Sequence, residues 1–350
     1  MLRRTMMGAV VLVGGWTTGA WALGIGDDAP EISITQWIKG EPVTLTAGKG
    51  KSVFIVEFWA TWCPPCIEMV PHMTELQHKY VKDGLVVVGV AGPGRGETVT
   101  KVKRFVRKRG DSMAYRVAFD GQNQTYAKYM RGVGAAGLPH AFVVNRQGKL
   151  VWHGHPADPQ MDEIVHKVLK GKFDLKQASV REKITPLFFR MQRFNAMEDW
   201  KGFRDTANEI LALDPQNDRA IDAMMYAYLT QENDVAGFRK FVEGFIEKNK
   251  SNGDAMQVLA TMLLRIDEMD HRVPDLAIKA ASLAFESCQG KDCDKIGTYA
   301  RAVYQIGLVD KAIELQSKAI AAADGDDQLS EARRALDFYK ACKSLQAKSL

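Results

Sequence analysis

At 350 residues the chain is too long for one ordinary domain and about right for two. A composition of 46% hydrophobic and 25% charged residues excludes a disordered chain, and the modest net charge of +5 singles out no class of partner. The chain opens with Arg3 and Arg4, an apolar stretch from Met6 to Trp16, and small residues Ala20 and Ala22 around Trp21. That order of basic, apolar and small residues is a secretory signal peptide over residues 1–22, cleaved near Ala22. The apolar stretch is short and rich in Gly and Thr for a helix that must span roughly 30 Å, which disfavours a membrane anchor. Export to the periplasm or cell envelope is therefore expected. Five cysteines follow (Cys63, Cys66, Cys288, Cys293 and Cys342) in a compartment where disulfides persist. An odd count with one close pair argues for redox chemistry over a disulfide scaffold.

Beyond the leader, Gly24 to Gly50 is rich in Gly and Pro, with short β-prone pieces at Ile32 to Ile34 and Pro42 to Leu45. Ser52 to Trp59 reads as a buried strand containing one acid, Glu57. After Cys63 the spacing turns helical, with Ile67, Val70, Met73, Leu76 and Tyr80 on one side. Leu85 to Val90 is a second buried strand, and Val99 to Arg109 a basic amphipathic helix. Ala141 to Val144 and Lys149 to Trp152 are strands joined by a turn at Asn145 to Gly148, and Asp162 to Leu169 closes with a helix. This alternation is an α/β arrangement.

Beyond Phe173 no strand is evident, and apolar residues recur at spacings of 3 and 4 to the C-terminus. Asp275, Ala277, Ile278, Ser282 and Ala284 recur 35 residues later as Asp310, Ala312, Ile313, Ser317 and Ala319. The offset is close to the 34-residue tetratricopeptide period, so this half is expected to be an all-α, tetratricopeptide-like repeat domain. It would offer a concave surface to a protein partner.

Cys63-Pro64-Pro65-Cys66 lies between a buried strand and a helix. Two intervening residues at a helix start let the sulfurs bond across one turn. The helix N-terminus favours thiolate over thiol at the first cysteine. Proline is tolerated there because its missing N–H had no partner. Cys63 should be the exposed attacking sulfur, and Cys66 the buried one that resolves the mixed disulfide. A zinc site would need a second ligand pair and haem attachment a His after Cys66, where Ile67 stands, so no metal or cofactor is expected.

The run Val56-Glu57-Phe58-Trp59-Ala60-Thr61-Trp62-Cys63-Pro64-Pro65-Cys66 resembles the active-site stretch of the thioredoxin superfamily, in particular its exported TlpA/ResA-like branch. Gly26 to Pro30, Gly137 to Val144 and Gln147 to Val151 extend the resemblance over about residues 24–170. It implies a thioredoxin-like fold, a central mixed sheet flanked by helices, and thiol–disulfide exchange with protein substrates, in the direction of a reductase. It also implies a membrane-embedded electron donor. Carried over residue by residue, Pro139 matches the cis-proline opposite the disulfide, Leu138 before it bears on substrate preference, and Glu57 matches the buried acid beneath the active site. A buried acid should have a raised pKa suited to taking the proton of Cys66. Trp62 and Pro64 flank the sulfurs and are expected to contact substrate, and Trp59 to pack beside them.

Weaker signals complete the reading. His72 and His78 do not share a helix face, His153 and His155 share a strand face without a third ligand, and His140 follows Pro139. Lys101, Lys103, Arg104, Arg107, Lys108 and Arg109 form a basic helix face open to an acidic partner or an anionic membrane. No nucleic-acid recognition motif is present. Cys288 and Cys293 flank a polar Gly-containing loop and are expected to form a structural disulfide, with Cys342 a free thiol. The domains are then 24–172, thioredoxin-like, and 174–350, helical. Two other classes remain open. In one, the helical array is a partner-binding scaffold and the first domain auxiliary. The other is a peroxidase on the same fold, whose Pro-x-x-x-Thr-x-x-Cys motif the stretch before Cys63 does not supply.

Overall fold

A computed structural model describes residues 23–348, so the signal peptide expected at 1–22 lies outside the described residues. The chain divides into two compact units at Glu182/Lys183. The first contains β1 (Gln36–Lys39), α1 (Leu45–Gly48), β2 (Val53–Phe58), α2 (Pro64–Tyr80), β3 (Leu85–Ala91) and α3 (Val99–Arg109). It continues with β4 (Arg116–Phe119), α4 (Gln124–Tyr126), β5 (His140–Val144), β6 (Leu150–Gly154), α5 (Pro159–Leu169) and the start of α6 (Leu175–Ala196).

Six strands form one mixed sheet in the order β1-β4-β3-β2-β5-β6. β2, β3 and β4 run parallel; β5 pairs antiparallel with β2, β6 with β5 and β1 with β4. All six residues of β2 are buried, as a central strand covered on both faces requires. Alternation sorts its side chains. Val53, Ile55 and Trp59 face one core with Cys63, Cys66, Val70 and Met73, while Phe54, Val56 and Phe58 face another with Tyr129 and Phe142.

Two local expectations give way. The β-prone pieces at 32–34 and 42–45 are not strands; the strand between them is β1, and Leu45 opens α1. Thr44 Oγ1 accepts from Ala47 N (3.1 Å), and the Glu31 carboxylate accepts from Leu45 N (2.8 Å) and Thr46 N (2.9 Å). Capping of the first amide groups thus outweighs the β preference of Val43 and Thr44. The unit also ends later than residue 172, because Leu175 packs against its core and Ile25 N donates to Glu182 Oε2 (2.6 Å).

The second unit is all helical: the rest of α6, α7 (Trp200–Leu213), α8 (Asp218–Met225), α9 (Val235–Asn249), α10 (Gly253–Leu263), α11 (Pro274–Ser287), α12 (Cys293–Gln305), α13 (Val309–Ala321) and α14 (Asp326–Lys348). Side chains of Asp199, Asn217, Asp234, Asn252 and Asp292 cap five of these helices, each accepting an orphan amide N–H. Small residues bring the helices close. Ala300 of α12 and Ala312 and Ala319 of α13 are fully buried in one cluster with Ile296 and Leu315. A Cβ on Gly253 would stand 1.8 Å from Ser287 Oγ, so α10 can begin there only with glycine. No described helix is long and apolar enough to cross a membrane.

Candidate active site

β2 ends at Phe58, and residues 59–62 turn the chain into α2. Cys63 is the N-cap residue, and Pro64 and Pro65 fill the first helical positions, where no amide hydrogen is needed. Cys63 and Cys66 are joined as a disulfide, Cα–Cα 5.3 Å. Cys66 N donates to Cys63 Sγ (3.3 Å), so an orphan amide of the helix start already points at that sulfur. The expectation of an exposed Cys63 is corrected: Cys63 is 4% exposed and Cys66 fully buried. Exposed Pro64 and Trp62 beside them leave the disulfide a narrow opening.

Glu57 pairs with Gly89 across β2 and β3, on the sheet face that carries Trp59 and the cysteines. It is 1% exposed, and neither carboxylate oxygen meets a hydrogen-bonding protein group. Burial raises its pKa to about 8. The glycine opposite makes room. A Cβ there would lie 3.0 Å from both Trp59 Nε1 and Tyr115 Cε2, so an indole N–H and a phenol ring converge on the space beside the acid. Burial, then the Glu57 charge, pushes the Tyr115 phenol well above its ordinary pKa. A lone glycine in a valine strand was the sequence signal for this close approach.

The Leu138–Pro139 peptide is cis. Leu138 packs against the core that holds both cysteines, and with Trp62 and Gly137 it lines a cavity of about 450 Å³. Trp62, 37% exposed, forms another wall under the Arg95 guanidinium, 4.7 Å from the ring centroid. Two buried carboxylates that sequence reasoning passed over brace this region. Glu97 accepts from Thr61 N (2.6 Å) and Thr61 Oγ1 (3.0 Å), and Asp120 from Gln124, Thr125 and Tyr126 N. Both look like ordinary surface acids in sequence; only the fold places them against unpaired amides.

The histidines do not join the sulfurs. His140 points with Phe142 to the opposite face of the sheet, and its Nε2 lies 3.2 Å from His153 Nδ1. Burial, then the neighbouring His153 and His155, lowers its pKa to about 4. His72 pairs with Asp162 at 3.1 Å. Among the described residues no group of three or more His, Cys, Asp or Glu could hold a metal ion.

The Cys288–Cys293 disulfide is not formed; both are free thiols. Cys288 Sγ donates to Phe285 O (3.1 Å) at the end of α11, while Cys293 opens α12 and is buried in the helical core. The two helix ends thus draw the thiols into different contacts. Cys342 accepts from Tyr304 OH (3.2 Å).

A parallel-centred sheet with antiparallel edge strands, a disulfide-linked Cys-x-x-Cys at a helix start and a cis-proline loop define a thioredoxin-like thiol–disulfide oxidoreductase. Comparison with known proteins agrees. Residues 25–153 match the family described as AhpC/TSA family. The chain is 31% identical over 167 residues to the thiol-disulfide oxidoreductase ResA of Bacillus thuringiensis subsp. konkukian, covering 47% of this chain and 90% of that protein. It is 33% identical over 129 residues to ResA of Geobacillus thermodenitrificans, covering 37% and 68%. A solved thiol:disulfide interchange protein of the thioredoxin family from Chlorobium tepidum is 29% identical, covering 41% of this chain and 97% of that one, at a TM-score of 0.34. The chain belongs, through its first unit, to the ResA-like thiol–disulfide oxidoreductases.

Proposed function

We propose that this protein is an exported reductase of protein disulfides. In its reduced form the Cys63 thiolate attacks a substrate disulfide, forming a mixed disulfide and releasing one substrate thiolate, which takes a proton. Cys66, deprotonated by Glu57, then attacks Cys63 Sγ. The second substrate thiolate leaves, and the two electrons of the dithiol have passed to the substrate. The observation that carries this reading is Glu57: a buried carboxylate without a protein partner, on the sheet face of Cys66, with a pKa of about 8. A base poised near neutrality suits a thiol that must lose its proton inside the core. The amide of Cys66 directed at Cys63 Sγ supports the first cysteine as nucleophile. The cis-Pro139 loop, with Leu138 and Trp62, presents the substrate backbone.

The oxidised pair is re-reduced by a membrane-embedded donor, and residues 1–22 direct export. The domains are the thioredoxin-like segment, running from residue 24 past 172 to Glu182 in α6, and the helical segment, which starts at Lys183 rather than 174 and runs to 350. We read the latter as tetratricopeptide-like. Asp275 and Asp310 each occupy the second position of a helix, α11 and α13, and Ala277, Ala284, Ala312 and Ala319 are buried at matching positions. It would bind a protein partner; Phe338, 54% exposed, lines a groove with Tyr304, Arg301 and Arg334.

The deciding measurement is the reduction potential of the Cys63–Cys66 pair. A value near about −270 mV supports the reductase, and one near about −120 mV overturns it in favour of an oxidase.

A further inference from the structure

From Pro93 to Gly110 the chain carries seven Lys and Arg residues and one acid, Glu97. That acid does not offset them at the surface, being 4% exposed and bound to Thr61. Five of the cations on α3 (Lys101, Lys103, Arg104, Arg107 and Lys108) are exposed, while Val102 and Val106 face the core. None of the seven forms an ion pair among the described residues. Arg95 and Arg109 lie over the rings of Trp62 and Phe105, and Lys101 Nζ donates to Gly96 O (2.7 Å). Phe105 in turn packs on Trp59 at 5.4 Å, which seats α3 beside the strand leading to Cys63.

The loop before α3 is tethered at both ends. Glu97 anchors one end to Thr61, and Asn123 Nδ2 donates to Pro93 O (3.2 Å) at the other. Between them Arg95 is fixed above Trp62, the residue before the nucleophile. Arg131 lines the same cavity as Arg95 and also lacks an ion pair among the described residues. The acid in that lining, Asp120, is occupied by three backbone amides. The cavity therefore has an apolar floor of Phe58, Trp62 and Leu138 and two unneutralised guanidinium groups.

We propose that Arg95, Arg131 and the exposed face of α3 form a cationic docking surface that selects protein substrates carrying acidic residues close to the cysteine to be exchanged. The inference rests on the oxidoreductase reading above and adds to it the chemistry of the substrate. Unpaired arginines beside the opening accelerate encounter with an acidic segment and disfavour a basic one, leaving the exchange chemistry unaltered.

The test uses the full-length reduced protein and two disulfide-bonded peptides that differ only in having Asp or Lys beside the cystine. Hydroxyethyl disulfide serves as a neutral reference. At low ionic strength the acidic peptide should react at least about tenfold faster than the basic one. The ratio should fall toward one in high salt and in Arg95→Glu/Arg131→Glu, and part-way in Lys103→Glu/Arg107→Glu. A wild-type ratio near one, with hydroxyethyl disulfide still reduced, overturns the docking surface and spares the function; failure to reduce any disulfide sinks the function itself. Glutathione disulfide reacting as fast as the acidic peptide overturns the assignment to a protein. Charge-dependent binding to vesicles of phosphatidylglycerol and phosphatidylcholine in equal parts, without peptide discrimination, reassigns the surface to a membrane.

Discussion

The two units handle buried polarity in opposite ways. In the first, three carboxylates are inside: Glu57, Glu97 and Asp120 are each 4% exposed or less. In the second, the buried polar residues among those described are Thr206 and Gln316, and each donates to a carbonyl one turn away or on a neighbouring helix. Helices satisfy their own backbone, so a helical unit can close with alanines and capped ends and needs no internal charge. The sheet unit must turn from strand to helix at the cysteines, and Glu97 and Asp120 serve the amides exposed by such turns. Glu57 serves none. An unpaired buried acid costs stability, and the proton-acceptor role proposed for Glu57 gives that cost a use.

The sharpest way to break this contrast is at the sulfurs. Cys63→Ser should reduce disulfide exchange by at least about a thousandfold, measured as reduction of a model disulfide. Cys66→Ser should instead leave Cys63 able to attack and accumulate the mixed disulfide, visible as a mass increase. An equal and complete loss in both variants, with no adduct in the second, would assign the nucleophile differently.

Next comes Glu57→Gln. As a base, Glu57 works when deprotonated, so resolution of the mixed disulfide should quicken as pH rises toward about 8. The variant should lose that inflection and slow by about a hundredfold. Stability should move the other way. The folded pKa is raised above the ordinary carboxylate value of 4.5, so the stabilising contribution is present below that value and disappears as pH climbs through 8. At pH values above that, Glu57→Gln should be more stable than wild type by roughly 2–4 kcal/mol in denaturant titrations.

Much of this was legible in sequence, and the exceptions share a cause. β2, β3, α2, α3 and the β5–β6 hairpin are written in local apolar runs and periodicity. The 35-residue offset marks equivalent positions on α11 and α13. β4 was missed because four residues between two irregular turns give no period to read, and its pairing with β3 and β1 is long-range. Within the candidate site, the pairing of Cys63 with Cys66 and the burial of Glu57 were readable from motif and context. Tyr115, Arg95, Glu97 and Arg131 were not, since each acquires its place through residues distant in sequence: Tyr115 beside Gly89, Glu97 on Thr61, and Arg95 and Arg131 in a cavity shared with Trp62.

A substitution in the helical unit tests whether its packing is as passive as its composition suggests. Ala312 is fully buried against α12. Ala312→Leu should destabilise by roughly 1–3 kcal/mol through overpacking. Reduction of hydroxyethyl disulfide by the folded fraction should keep its wild-type rate, because the chemistry belongs to the other unit. A parallel loss of that rate would show that the helical unit contributes to the reaction itself.

The smallest effect returns to the sheet unit, on the face away from the sulfurs. His140 and His153 share one hydrogen bond, at 3.2 Å, which one ring must donate and the other accept. Protonating both would place two cations in contact, with His155 adding to the repulsion and burial disfavouring the charge on His140. Because its pKa in the fold is about 4 against an ordinary imidazole value of 6.5, the unfolded chain binds the extra proton between these values. The contribution is therefore complete above about pH 6.5 and declines as pH falls toward 4. The ring is only half-buried, so solvent screening limits the loss to about 1 kcal/mol. His140→Phe should flatten the acid limb of a stability–pH curve over that interval, whereas Glu57→Gln should act on the alkaline limb. A curve in which His140→Phe leaves the acid limb unchanged would show that protonation of His140 does not set it.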